Sequence, residues 1–228
     1  MIKWKSQKQE IFCTEYLPTI ACVLICVISY FILNMYPAVF PQRIHCFSSA
    51  ALFCIPVVVY LIFKWRFPPI LKIIGFGFIF CGMLFATAMN LYSLIPEWDT
   101  ILHTLSGVMC FLFAYYVLLA TGVLFKVKEA LGIVICLLLN ASTSSVWELI
   151  EYAADGFGNG NAQHSLEEGV VDTMQDIIAN TIGGLAVAIF MIVDILINKR
   201  KVTDWFTRHV SVYTRFDYRK PMPLEENI

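Results

Sequence analysis

The sequence predicts an all-α integral membrane protein, a bundle of six transmembrane helices with both termini in the cytoplasm. Three observations support this fold class. Hydrophobic residues make up 59% of the chain and charged residues only 14%, whereas a soluble domain of 228 residues needs more charge to cover its surface. Apolar runs of about 20 residues, the length that crosses a membrane, recur along the chain. Basic residues are concentrated in every second connection between those runs.

The apolar runs are separated by connections that leave no room for a soluble domain. We predict six spans, at residues 17–39, 46–63, 70–91, 101–125, 130–150 and 173–197. The chain then divides into a cytoplasmic N-terminus over 1–16, a six-helix transmembrane domain over 17–197 and a basic-aromatic cytoplasmic tail over 198–228. Pro56 lies inside the second span, where it should kink the helix.

The distribution of charge predicts the orientation of the spans. Basic residues precede the first span, follow the second and fourth, and recur after the sixth, as Lys3, Lys5, Lys8, Lys64, Arg66, Lys72, Lys126, Lys128, Lys199, Arg200 and Lys201. The opposite connections are mostly acidic, with Glu97, Asp99 and the loop after Glu151. The positive-inside rule therefore places both termini in the cytoplasm of a cell-membrane protein, with the acidic connections outside.

Acidic, histidine and amide side chains occur near the outer ends of three predicted spans. They are Asp99 and His103 in the fourth span, Glu148 and Glu151 in the fifth, and Asp172, Asp176 and Asn180 in the sixth. Within each span their spacing of three or four residues puts them on one helix face. Counted from the inner basic residues at 1.5 Å per residue, His103, Glu148 and Asp176 agree in depth within roughly two turns. We expect these side chains to meet in one pocket.

Four of these side chains should lie inside the hydrocarbon or at its edge. They are His103, Glu148, Asp176 and Asn180. A charged group there costs about 2.5–3.5 kcal/mol even on lenient scales, which favours a function over a chance occurrence.

The other candidates have simpler explanations beside the functional one. Asp99 and Asp172 each precede a helix and could act as N-caps, and Glu151 could be a solvated acid at the membrane surface. Gln163 lies in the Gly- and Asn-rich outer loop after Glu151. Such a loop can fold over a site as a lid or serve only as a connector.

A combined motif links the three polar spans. It consists of Trp98-Asp99-x3-His103, Trp147-Glu148-x2-Glu151, Gln163 and Asp172-Thr173-x2-Asp176-x3-Asn180-x2-Gly183. This motif resembles the bacterial and archaeal membrane-spanning proteins of the YjdF type over about residues 70 to 197. More distantly it resembles the VanZ-like proteins, one of which is associated with teicoplanin resistance. The resemblance implies a polytopic cell-membrane protein with a shared acidic site formed by Asp99, His103, Glu148, Glu151, Asp172 and Asp176.

One hypothesis is a metal-dependent intramembrane hydrolase or transferase that acts on a lipid or lipid-linked substrate. Carboxylates and an imidazole suit Mg²⁺, Mn²⁺ or Zn²⁺. The candidate catalytic residues are His103, Glu148 and Asp176, and the candidate metal ligands are Asp99, His103, Glu148, Glu151, Asp172 and Asp176. Against an enzyme, the sequence contains neither HExxH nor GxSxG.

Two other hypotheses do not involve catalysis. The acids could hold a cation, a proton or a cationic amphiphile in a binding, transport or antibiotic-resistance protein. Alternatively, the polar side chains could form a structural hydrogen-bond network that joins three helices. In each case the expected partners are membrane lipid and a lipid-linked or amphiphilic small molecule, and no nucleic acid.

Overall fold

The computed structural model of the protein describes residues 9–95, 97–158 and 170–214, which contain helices and turns but no β-strand. Six helices in these ranges are long and apolar enough to cross a membrane. They are α1 (Gln9–Leu33), α2 (His45–Phe63), α3 (Pro69–Ala88), α4 (Trp98–Ala120), α5 (Glu129–Gly158) and α6 (Val170–Leu196). A shorter helix, α7 (Lys201–Ser211), follows α6. The predicted fold class and number of spans are confirmed, while the location of the termini stays a prediction.

Several helix ends differ from the predicted ones. The first helix begins at Gln9 because a π-helical turn, Phe12–Tyr16, continues directly into Leu17–Leu33. The fourth helix ends at Ala120, since Gly122 adopts a left-handed conformation with φ 77° that stops an α-helix. The fifth extends to Gly158 because its polar end stays helical after the apolar pattern has stopped.

The second span is interrupted where Pro56 predicts a kink. Its two parts, His45–Phe53 and Ile55–Phe63, meet at Cys54. Proline has no N–H, so Pro56 cannot donate to the carbonyl of the preceding turn.

The chain forms two compact units, Met1–Trp98 and Asp99–Ile228. The predicted six-helix transmembrane domain over 17–197 stays a prediction. In the first unit, Phe53 packs against Cys26 and Phe76. In the second, the buried core includes Phe111, Tyr115, Cys136, Ala188 and Met191.

A buried ion cluster stabilises the first unit. The Glu15 carboxylate is almost fully buried and accepts hydrogen bonds from Lys72 Nζ at 2.6 Å and Arg66 Nε at 3.0 Å. Lys72 also donates to the Thr14 carbonyl oxygen at 2.7 Å. Burial lowers the pKa of the Arg66 guanidinium, but the hydrogen bonds and negative charges of Glu15 and Glu10 together raise it by more, so its pKa lies above the ordinary value. Lys72 and Arg66, which the sequence pattern used only to predict the orientation of the spans, therefore neutralise buried Glu15.

Two glycines let α4 and α6 of the second unit approach very closely. A Cβ atom added at Gly107 would overlap the backbone carbonyl oxygen of Asn180. A Cβ atom at Gly183 would likewise overlap the Thr104 carbonyl oxygen. Small residues at such positions are a common means of close helix packing in membranes. This crossing fixes the register of the two helices.

We expect Gly107→Ala to destabilise the second unit, because the added methyl group forces the α4 and α6 backbones apart. Overpacking of this kind costs about 1–3 kcal/mol. Thermal unfolding of the purified protein in detergent measures the effect, with the folded fraction at each temperature determined by size-exclusion chromatography. The control is Gly77→Ala in α3, where an added Cβ meets no atom within 4 Å. Equal stability of the wild type and Gly107→Ala would contradict the close crossing.

The ion cluster predicts a second destabilising change, Lys72→Met. It removes one of the two cations around buried Glu15, and breaking a buried pair costs about 3–5 kcal/mol. Thermal unfolding should show a clear loss, whereas Lys64→Met, at an exposed lysine near Tyr60, should show little. The double change Glu15→Met with Lys72→Met should recover part of the loss. A double variant no more stable than Lys72→Met alone would count against pairing as the cause.

Candidate metal centre

Helices α4, α5 and α6 each contribute an ionisable side chain to one cluster. His103, on the second turn of α4, is buried, with 8% of its surface exposed. Its Nε2 atom lies 3.8 Å from Asp99 Oδ1 and 3.7 Å from Asp176 Oδ2. Its Nδ1 atom lies 3.9 Å from Glu148 Oε1 on α5. The predicted convergence of His103, Glu148 and Asp176 therefore occurs in the folded chain.

Asp99, His103 and Asp176 are arranged as a possible set of metal ligands. One ligand atom from each residue lies within 4.8 Å of the other two. Bonds of about 2.0–2.2 Å from a divalent metal to oxygen or nitrogen place neighbouring ligands roughly 3–4 Å apart. The separations of 3.7 and 3.8 Å from His103 Nε2 fit that range.

Glu148 lies on the other side of the imidazole. Its carboxylate is buried and faces Nδ1. Histidines that bind metal commonly direct their second nitrogen to a carboxylate, which fixes the tautomer and the ring orientation. The geometry therefore suits Glu148 to positioning His103. Glu148 is not among the three residues of this group, and its role as a direct metal ligand stays a prediction.

Two of the three remaining predicted site residues lie in the described part of the chain. Glu151 Oε1 accepts a hydrogen bond of 2.7 Å from Trp147 Nε1 on the same helix. Asp172 is half-buried one turn before Asp176 and close enough to Glu148 to interact electrostatically. Gln163 lies outside the described residues. The roles of these three residues stay predictions.

A hydrogen-bonded network supports the cluster from deeper in the unit. Ser106 Oγ donates to the His103 carbonyl oxygen at 2.7 Å and accepts from Asn180 Nδ2 at 2.7 Å. Asn140 Nδ2 donates to the Asn180 carbonyl oxygen at 3.3 Å. Asn180 and Asn140 are both buried, at 2% and 1% exposure. The chain of contacts thus connects α4, α6 and α5 immediately beneath the metal-ligand candidates.

The sequence motif includes Asn180 but not Ser106. Its signal was its position three residues after His103, on the same face of α4. The neighbouring serines of α5 behave differently from Asn140, because Ser142 and Ser145 are exposed and donate to carbonyls of their own helix.

Comparison with known proteins gives one family match. The model of the family described as Predicted membrane protein (DUF2238), the YjdF type, matches residues 15–195. This match confirms the resemblance seen in the sequence and extends it to the first two spans, while the likeness to VanZ-like proteins stays a prediction. No curated protein and no solved structure matches the chain.

The network predicts that Ser106→Ala destabilises the second unit. The change leaves the buried Asn180 amide without its acceptor, and a buried polar group that loses its partner costs about 1–3 kcal/mol. Thermal unfolding in detergent measures the loss. Ser142→Ala is the matched control, because the Ser142 hydroxyl is exposed and bonds only within α5. The network is refuted as a support of the site if the two alanine variants unfold at the same temperature.

Proposed function

Because the chain belongs to the DUF2238 family of predicted membrane proteins, we propose that it is a multi-pass membrane protein that binds one divalent metal ion through Asp99, His103 and Asp176. The observation that carries this proposal is the convergence of three ligand atoms, within 4.8 Å of one another, from two helices. Two of the three residues are buried and the third is half-buried.

Charge balance supports a bound cation. The ligand oxygens of Asp99 and Asp176 lie within 4.8 Å of each other, and Glu148 and Asp172 also repel Asp176 electrostatically. The lysines that follow α4, precede α5 and follow α6 are roughly 30 Å away along the helix axes. A divalent ion would offset the mutual repulsion of these acids.

The donor set restricts the choice of metal. An imidazole suits Zn²⁺, and carboxylates suit Mg²⁺ and Mn²⁺. A mixed set of one imidazole and two carboxylates therefore favours Zn²⁺ or Mn²⁺. Mg²⁺ is less suited, because it binds oxygen ligands and retains several waters.

The activity that we propose for this site is hydrolysis or group transfer on a lipid or lipid-linked substrate. The ligands lie in the first two turns of α4 and α6, so the site is near the helix ends, where lipid headgroups lie. A divalent metal, when bound, supplies Lewis-acid chemistry. Glu148 Oε1 faces His103 Nδ1 at 3.9 Å and would orient the ring, and Asp172 is a nearby carboxylate that could accept a proton.

A second candidate is a binding, transport or resistance protein without catalysis. It is favoured by the polar network of Ser106, Asn140 and Asn180, which continues inward from the cluster. A cation that moves into the membrane needs such oxygen-bearing side chains along its way.

Elemental analysis of the purified protein in detergent tests metal binding. We expect near-stoichiometric divalent metal in the wild type and at least a tenfold loss in both His103→Ala and Asp176→Asn. Glu151→Gln is the matched control, since that carboxylate is engaged by Trp147, and it should retain the metal. Metal-free wild type, or equal metal in all the folded variants, would contradict the proposal.

Lipid analysis separates the two candidate functions. If the protein is an enzyme, its overproduction should change one lipid or lipid-linked species, and Asp176→Asn should abolish that change. If it is a transporter, proteoliposomes should take up the metal while the lipid composition stays constant. An unchanged lipid profile together with metal uptake would therefore reject the enzyme and support transport.

A further inference from the structure

The last helix of the described chain has a fixed orientation on the second unit. The chain turns after α6 through two consecutive residues in the left-handed conformation, Lys199 with φ 54° and Arg200 with φ 65°. Helix α7 then begins with its backbone N–H groups of Val202 and Thr203 donating to the Asp194 carboxylate at 3.1 and 2.8 Å. Asp194 is fully buried. The start of α7 is therefore held at the end of a membrane span.

The middle of α7 is held as firmly as its start. Thr207 Oγ1 lies 2.8 Å from the Tyr115 hydroxyl of α4, and Phe206 packs on the Tyr115 ring with 6.0 Å between ring centroids. The buried face of α7 consists of Thr203, Thr207, Val210 and Ser211. These contacts determine which face of α7 turns away from the unit.

The outward face of α7 combines basic and aromatic side chains. Lys201 and Arg208 are exposed, and Trp205 is 50% exposed. The Trp205 ring lies against His209, with 4.4 Å between ring centroids. Asp204, the acidic residue of the helix, is paired with Arg200 at 3.1 Å. The outward face is thus positively charged around an aromatic pair.

We propose that the outward face of α7, formed by Lys201, Trp205, Arg208 and His209, binds the headgroups of anionic phospholipids. Only four residues separate α7 from the end of α6, so α7 must lie at the membrane surface. Basic side chains attract anionic headgroups there, and tryptophan partitions into the interface between headgroups and acyl chains. This surface is at the end of the unit opposite to the metal centre and does not depend on metal binding.

Fluorescence quenching in proteoliposomes tests the proposal. The full chain is reconstituted in phosphatidylcholine, with or without phosphatidylglycerol, and one of the two lipids is brominated on the acyl carbons nearest the headgroup. The chain has five tryptophans, so the Trp205 signal is the difference between the wild type and Trp205→Phe. We expect brominated phosphatidylglycerol to quench this signal several-fold more strongly than brominated phosphatidylcholine at equal mole fraction.

Charge variants establish that α7 is responsible. Lys201→Gln with Arg208→Gln should abolish the excess quenching by phosphatidylglycerol without changing thermal stability, because neither side chain is on the buried face. Lys126→Gln with Lys128→Gln, exposed lysines in the connection between α4 and α5, is the matched control and should retain the excess. High salt should also reduce it. Equal quenching by the two lipids overturns the proposal, as does a Trp205 signal that neither lipid quenches.

Discussion

The candidate metal centre depends on the backbone contact between α4 and α6. Gly107 faces the Asn180 carbonyl and Gly183 faces the Thr104 carbonyl, so no side chain separates the two helices at their crossing. His103 lies one turn from Gly107, and Asp176 lies two turns from Gly183. A larger residue at either glycine would separate the helices and lengthen the 3.7 Å between His103 Nε2 and Asp176 Oδ2. The geometry of the site thus depends on glycine at positions 107 and 183, where a side chain would hold the helices apart.

Two groups of acids in the described helices have different surroundings. Glu15 and Asp194 accept hydrogen bonds of 2.6–3.1 Å from lysine, arginine or backbone N–H donors. In contrast, Asp99 and Asp176 lie 3.7–3.8 Å from the nearest imidazole nitrogen, beyond hydrogen-bond distance but suitable for two ligands of one metal ion. Acids of the first group hold helices together. The spacing in the second group leaves room for an ion.

The sequence was sufficient for the fold class, the number of spans and the convergence of His103, Glu148 and Asp176. Hydropathy identifies the spans because the lipid-facing residues of a spanning helix must be apolar, and depth follows from counting residues. Which side of His103 each carboxylate faces could not be predicted. That depends on helix rotation and on side-chain rotamers, which the spacing of residues along one helix leaves undetermined.

Some contributors to the structure carry little or no signal in the sequence. Glu15 precedes the predicted first span, so the sequence does not predict its burial. In the structure α1 begins at Gln9, and Glu15 accepts a hydrogen bond from Lys72. The sequence does not show which of two acids, Glu148 or Glu151, accepts the hydrogen bond of Trp147, because the two lie three residues apart on α5. In the sequence, α7 shows only an alternation of basic and aromatic residues. It has no apolar stripe, because its buried face consists largely of threonine and serine.

The most direct test of the central claim is X-ray absorption at the edge of the bound metal, with the protein loaded with Zn²⁺ or Mn²⁺ in detergent. The account predicts a first shell of oxygen ligands with one imidazole nitrogen, visible by its outer-ring scattering, in the wild type, and at least tenfold less bound metal in His103→Ala after the same loading. An all-oxygen shell that is the same in the wild type and in His103→Ala would contradict a metal centre built on Asp99, His103 and Asp176.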